Sequence, residues 1–410
     1  MKTFRKVVAL SVMVLLSITP ALAASTHTWK TVVASSSSTA AAYAIDENGA
    51  LWSWSTFPAS DPEPVLVDAS GNWSSITTAP EALADRVVGV RDGQIFEAVN
   101  SDAVSALSGG TSWAAISSGQ TAGGSYYIAQ KDDGTLWSWG SNDLGQLGSA
   151  GGSVGAPTQI LASGGHAGHS WTSVSTAGEV GSVAAIRDDG TLWVWGNNTS
   201  GELAGGAAAT VEPTQIVGNW KSVVVNRTTN GLHSSILALD ENGALYAWGM
   251  NEDGRLGTGV DGGIITAPVL VDAGPWAKID SGSGMNVSYG IKEDGTLWSW
   301  GVTYDGMAGQ GDGMSKILVP TQIVGFNDWQ DITVGHARIF AQREGSNAVY
   351  GWGAGLVQII DPSNLDANLT PDEILAWSWA APSLPTVAST FPDGSPLSMQ
   401  PNHFYLQLNN

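Results

Sequence analysis

Adjacent acidic residues recur along this chain of 410 residues: Asp132 with Asp133, Asp188 with Asp189, and Glu293 with Asp294. A pair of carboxylates flanking a bond can run glycoside hydrolysis, one as acid and the other as base or nucleophile. Here each pair precedes a Gly in the same local pattern, which marks a solvated turn. His166 and His169 stand three apart in a Gly-rich stretch. Zinc accepts imidazole, but a site takes about three protein ligands, so two His in a surface loop fall short. The abundance of carboxylates makes calcium the better-matched metal, yet no loop has the D-x-[DN]-x-[DN]-G spacing. The phosphate-cradling Gly-x-x-x-x-Gly-Lys-[Ser/Thr] and the His-Glu-x-x-His pair are missing. There is no Cys, which removes disulfides, thiolate nucleophiles and cysteine metal sites. The expectation is a non-enzyme with no catalytic, cofactor or metal residues, calcium being the one ion left open.

The elements that would position such groups form a repeat. Each copy opens on a Trp, continues through a β-rich run to an Asp/Asn-Gly turn, and then places an aromatic-x-Trp pair before a Gly-rich loop. The clearest runs from Trp113 through Asp133-Gly134-Thr135-Leu136-Trp137-Ser138-Trp139-Gly140 to Pro157-Thr158-Gln159-Ile160. Others carry Asp189 to Gly196, Asn242 to Gly249 and Asp294 to Gly301, and weaker copies flank them. The openers are Trp29, Trp73, Trp113, Trp171, Trp220, Trp276 and Trp329, about 50 residues apart. Asx-Gly suits tight hairpins, and alternate residues of a strand share a face. Trp137 and Trp139 therefore point the same way, as do Trp193 with Trp195 and Trp298 with Trp300. Such rings fill the gap between stacked sheets, so loss of Trp193 or Trp298 is expected to be severely destabilising. No amphipathic helical period appears. The fold expected is all-β, a seven-bladed β-propeller of four-stranded antiparallel blades.

The N-terminus reads as an export signal. Lys2, Arg5 and Lys6 precede an apolar run from Val7 to Leu16, and Ala21-Leu22-Ala23 supplies a small-x-small cleavage site. Residues 1–23 are assigned to the signal, 24–360 to the propeller, and 361–410 to an eroded eighth unit or a ring-closing segment. Trp377 with Trp379 and the alternating stretch from His403 to Leu408 motivate that last assignment. No later segment is apolar for long enough to span a bilayer. The expected location is secreted or periplasmic, and Cys-free export suits a bacterium. The net charge of −21 disfavours polyanionic partners such as nucleic acid.

Asp133 to Gly148 closely resembles D-G-x-(L/V)-(W/Y)-x-W-G-x-N-x-x-G-x-L-G, the hallmark of the regulator of chromosome condensation family. Asp189 to Leu203 and Asn242 to Gly257 resemble it well, and Asp294 to Gly309 more loosely. The resemblance covers about residues 27–360 and implies a seven-bladed propeller, in agreement with the seven openers. The family's Gly-x-x-His element survives only as Gly335-His336. With that departure, the export signal and the acidic balance, the founder's role on a nuclear GTPase and chromatin is not carried over. The secreted bacterial propeller that inhibits β-lactamases is the nearer analogy. Asp132-x-Gly134-x-x-Trp137 and Asp188-x-Gly190-x-x-Trp193 also resemble part of the sialidase Asp-box, itself a structural turn.

The leading expectation is an exported, monomeric binding or scaffold propeller. It would recognise a protein or an extracellular polymer through the loops at 149–170, 205–212, 257–267 and 304–319. The alternatives are a carbohydrate-active hydrolase or lyase with its site at the propeller axis, and a structural envelope protein.

Overall fold

Every opening tryptophan starts a strand. The inner strands run Trp29–Ala34, Trp73–Ala79, Trp113–Thr121, Trp171–Thr176, Trp220–Arg227, Trp276–Ser281 and Trp329–Val334. A computed structural model describes residues 29–34, 41–55, 64–79, 86–99, 104–108, 110–161, 169–204, 209–227, 233–282, 286–303, 307–310, 316–335, 338–344, 349–353 and 356–359. Within them each inner strand begins a four-stranded antiparallel meander, seven in all. Blade 4 is typical, with Trp171–Thr176, Ser182–Arg187, Leu192–Asn197 and Ala209–Ile216 in spatial order. Two single-turn 3-10 helices, Gly178–Val180 and Glu252–Gly254, are the described helical elements. No helix among the described residues is long and apolar enough to cross a membrane. The assignments to 1–23 and 361–410 fall outside the described residues.

The Trp-Gly step has a steric cause. Gly140, Gly196, Gly249 and Gly301 end the third strands with φ between 92° and 101°. A Cβ there would lie 2.3, 2.1, 2.7 and 2.1 Å from a carbonyl oxygen at, or just ahead of, the start of the neighbouring second strand. Only Gly accepts both the positive φ and that approach.

The core is distributed over the blade junctions. Each ring-bearing face packs against the aliphatic face of the blade before it. Trp171, Trp193 and Trp195 of blade 4 cover Ile128, Leu136 and Leu147 of blade 3. Trp220 and Trp248 of blade 5 cover Ile186, Leu192 and Leu203 of blade 4. The ring closes in the same manner, with Phe340 of blade 7 packed among Trp29, Val32 and Ala44 of blade 1. Gln342 Nε2 donates to the Trp29 carbonyl across that closure at 3.4 Å.

Backbone bonds add register between blades. The opener N–H of six blades donates to the turn-Gly carbonyl of the preceding blade, as in Trp171 to Gly134 at 2.9 Å and Trp220 to Gly190 at 2.8 Å. The second tryptophan of a pair reaches back further. Trp195 Nε1 donates to the Gln146 carbonyl at 3.0 Å, Trp248 to Glu202 at 2.7 Å and Trp300 to Arg255 at 2.9 Å.

The two members of a pair are therefore not equivalent, which refines the expectation of a shared role. Trp195, Trp248 and Trp300 are sealed in junctions. Trp137 and Trp298 are only half-buried, with their indole N–H groups on Thr135 and Thr296 hydroxyls of the outer turn. Trp193 is buried but keeps the same turn bond to Thr191.

Candidate functional site

A meander puts its first and third connections at one end of the ring, and its second connection and the link to the next blade at the other. The Asx-Gly turns all lie at this second end, the turn face. The third connections, which carry the variable loops, lie at the first end, the loop face.

The acidic pairs build the turns. Asp133 Oδ1 accepts from Thr135 N at 2.9 Å and Thr135 Oγ1 at 2.6 Å, and Asp189 with Thr191 and Asp294 with Thr296 repeat the pattern. Hydrogen bonds from Thr135 and Thr296 hold the carboxyls of Asp133 and Asp294 below the usual range. The residue ahead of this turn Asp is also acidic or has an acidic counterpart in every blade. Glu47, Asp92, Asp132, Asp188, Glu241, Glu293 and Glu344 form an exposed ring on the turn face.

Just before this acid, five blades carry a cation that the sequence reading passed over. Lys131 Nζ stands 5.1 and 4.1 Å from the ring centroids of Trp113 and Trp137. Arg187 lies 4.4 and 4.7 Å from Trp171 and Trp193, and Lys292 lies 4.8 and 4.3 Å from Trp276 and Trp298. Arg91 and Arg343 occupy the same position over other aromatic rings. Blades 1 and 5 have Asp46 and Asp240 there, which cap the turn instead. The signal was legible as a basic residue one place before five of the seven acidic turns. Much of the sparse positive charge is thereby spent on packing.

His169 does not meet a partner His in the described structure, and His166 lies outside the described residues, as does His336. His169 Nδ1 pairs with Asp188 Oδ1 at 2.9 Å and approaches Asp189 Oδ2 at 3.6 Å. These three exposed groups hold ligand-type atoms within 4.8 Å of one another. Asp188 also accepts from Ser170 N, and Asp189 also holds its turn, so both have structural duties.

The four loops expected to vary are shorter than drawn from the sequence. Outer strands begin inside each: Val154–Gln159, Ala209–Ile216, Ile264–Asp272 and Lys316–Gln322. The segment 149–170 is thus split, with 149–153 on the loop face and the described residues 160–161 and 169–170 on the turn face. The repeat's Asn anchors what remains. Asn142 Oδ1 accepts from Leu147 N at 2.9 Å, while its Nδ2 donates to the Ser149 and Gly151 carbonyls at 3.1 and 2.9 Å. Asn251 likewise takes Leu256 N and donates to the Val260 carbonyl. Lys316 of blade 6 bridges Asp253 and Asp261 of this loop at 2.8 and 2.7 Å.

Between Gly and Leu of the same motif stand Gln146, Glu202 and Arg255, all fully buried. Burial pushes the Glu202 carboxyl up, against hydrogen bonds from Ser234, Ser182 and Ser200 N. Arg255 instead reaches Asn286 of blade 6 at 2.9 Å.

At the axis the inner strands enclose a channel of about 240 Å³. Side chains of neighbouring blades cap the open inner edges. Thr78 Oγ1 donates to the Ala34 carbonyl, Val225 N donates to Ser175 Oγ, and Val334 N donates to Asp280 Oδ2. Burial raises Asp280 to about 6, opposed by Ser281 N, Lys278 and Val334 N. Among the described residues the wall has this one carboxylate and no Arg, so the two-carboxylate geometry of a glycosidase is not assembled there.

The family profile of the regulator of chromosome condensation (RCC1) repeat matches residues 133–182 and 242–288. The chain carries RCC1 repeats. Each match runs from the turn of one blade into the second strand of the next, so the RCC1 unit spans a blade junction. The chain is 31% identical over 260 residues to the mitochondrial RCC1 domain-containing protein RUG3 of Arabidopsis thaliana, covering 60% of this chain and 55% of that protein. It is 28% identical over 273 residues to the mouse E3 ubiquitin-protein ligase HERC2, covering 64% of this chain but 6% of HERC2. The chain thus spans about half of the first relative and a small part of the second. Among solved structures, human WBSCR16 superposes with a TM-score of 0.59 at 16% identity, covering 74% of this chain and 84% of that one. Prp20p of Saccharomyces cerevisiae gives 0.56 at 13% identity, covering 84% of each chain. That structure was described with the binding of Prp20p to Gsp1p and histones. At these identities the likeness establishes the propeller fold.

Proposed function

We propose that this chain is an exported, non-catalytic binding propeller whose loop face recognises a protein or an extracellular polymer. One observation carries the reading. The loops that differ most between blades leave the same end of a rigid ring, and the repeat's own Asn ties their bases down in blades 3 and 5. Loops on a fixed frame vary in sequence at little cost to the fold, which is how such frames acquire partners. The description of Prp20p as a binder of Gsp1p and histones supports a binding role for the architecture. The seven-membered carboxylate ring and the net charge of −21 disfavour polyanionic partners such as nucleic acid. The basic and apolar N-terminal segment supports a location outside the cytoplasm, and a monomer is the working state.

The experiment is affinity capture by purified residues 24–410 from the envelope and culture-fluid fractions of the producing organism, with proteins and glycans both analysed. Variants with 149–153 or 257–263 cut to short turns should lose a saturable partner. Charge-neutral changes on the turn face at Glu47 and Glu241 should keep it. Retention by both loop variants would refute the loop-face assignment. Release of reducing sugar from captured glycan would favour the hydrolase reading instead.

A further inference from the structure

The axial channel has a wall chemistry that the fold alone does not require. Asp280 is its one ionisable side chain among the described residues. Each carboxylate oxygen accepts a single backbone N–H, Ser281 N at 2.8 Å and Val334 N at 2.9 Å, so each keeps an unused lone pair. Lys278 acts on it only through space, since its ammonium is paired with Asp331 of blade 7. Asp331 also accepts from Ile332 N. The three charges at this junction sum to one negative.

Two further acceptors stand unused. Asn226 is 4% exposed and donates Nδ2 to Ser281 Oγ at 2.6 Å, yet its Oδ1 has no partner. Ser118 is 5% exposed, on the wall formed by blade 3, and its Oγ has no partner. Buried polar atoms are nearly always satisfied, and an orphan calls for an unseen occupant. Asp280 reaches blade 7 and Ser281 meets the Asn226 amide of blade 5, so a carboxylate and an amide line the channel on either side of blade 6.

The occupant these groups fit is a donor with positive charge. An ammonium group offers three N–H donors and no acceptor. A calcium ion takes about six to eight oxygens, usually with several carboxylates, and the wall supplies one carboxylate. No aromatic ring lines the channel on which the apolar face of a sugar could rest. We propose that the axial channel binds a small primary ammonium compound, its head group held by Asp280 and its tail directed along the Ser/Thr wall towards Asn226 and Ser118.

Titration calorimetry of the full chain with ethanolamine at neutral pH tests this, with ethylene glycol as the uncharged isostere and CaCl2 as the metal arm. Ethanolamine should bind one to one with a Kd of about 1 mM or tighter, and ethylene glycol should not bind measurably. Asp280→Asn should weaken ethanolamine at least about tenfold. Ser118→Ala, which removes no hydrogen bond of the junctions, should fold normally and weaken it less. In the unaltered chain, carbon-13 NMR should show the Asp280 carboxyl titrating at lower pH when ethanolamine is present, a readout that survives if Asp280→Asn fails to fold. Absence of saturable ethanolamine binding, equal binding of ethylene glycol, preference for calcium, or an Asp280 titration that ethanolamine leaves unmoved would each overturn the assignment.

Discussion

Replacing Trp300 by Ala tests the junction account against a control two residues away. Trp300 is fully buried, meets Trp276 edge-on at 6.0 Å and donates to the Arg255 carbonyl at 2.9 Å. Truncating a buried Trp to Ala costs about 3–5 kcal/mol. The lost hydrogen bond adds about 1 kcal/mol rather than a full desolvation penalty, because the Arg255 carbonyl still accepts from Ser288 Oγ at 2.9 Å. The expected loss is therefore about 4–6 kcal/mol. Trp298 makes a similar contact with Trp276, at 5.9 Å, but is half-buried and bonds only to a turn hydroxyl. Trp298→Ala should cost about 2–3 kcal/mol, since less area returns to water. Urea denaturation at 25 °C, followed by circular dichroism and tryptophan fluorescence, measures both. The slopes should match that of the unaltered chain, so that midpoint shifts report stability. Equal losses, or a larger loss for Trp298→Ala, would refute the assignment of the second ring to the junction and the first to the turn.

Three further outcomes are expected. Lys131→Met keeps the stem between Trp113 and Trp137 but removes the charge, and denaturant melts should show a loss of about 1 kcal/mol. Gly301→Ala should cost more than about 2 kcal/mol, because strain at positive φ adds to a clash with the Asn286 carbonyl. A loss below 1 kcal/mol in either thermal or urea melts would contradict that geometry. Two carboxylates should give opposite pH slopes. Burial works to raise Asp68, but hydrogen bonds from Ser70, Arg91 and Trp73 outweigh it and hold the group at about 2, so its contribution is lost as pH falls from 3.8 towards 2. Asp280 is raised to about 6, so its ionisation costs stability as pH rises from 3.8 through 6. Melts of Asp280→Asn against pH should lack that second slope, while Asp68→Asn should lack the first.

The blade count was legible because its signals are local. Seven Trp openers each begin an inner strand, and the Asx-Gly turns fall where a hairpin needs them. The turn role of the acidic pairs was legible for the same reason, since Asp133 and Thr135 are two residues apart. The axial wall was not. Ser118, Asn226 and Asp280 belong to different blades and occupy no common motif position, so only the ring brings them together. The loop boundaries were misjudged because outer strands such as Val154–Gln159 are mostly exposed and lack an alternating apolar pattern. The burial difference between Trp298 and Trp300 was also invisible, because period-two reasoning gives both the same face. What separates them is the preceding blade's third connection, which covers only the second ring.

The offset between RCC1 unit and blade bears on how the chain reaches its folded state. Within a blade, pairing joins consecutive strands, so each meander can form as soon as about 50 residues have emerged. Its aliphatic face then stays wet until the next opener and ring pair arrive to cover it. The hydrogen bonds from Gln342 to the Trp29 carbonyl and from Ala34 N to Thr333 span 313 and 299 residues, and must wait for the last blade. Synthesis would thus run as a relay in which one unfinished surface is handed along the growing chain, with a single late event that joins its two ends. Truncation before blade 7 would leave two such surfaces uncovered at once, the leading face of blade 1 and the trailing face of blade 6, each complementary to the other on a second molecule. Fragments of this kind should assemble head to tail into open chains.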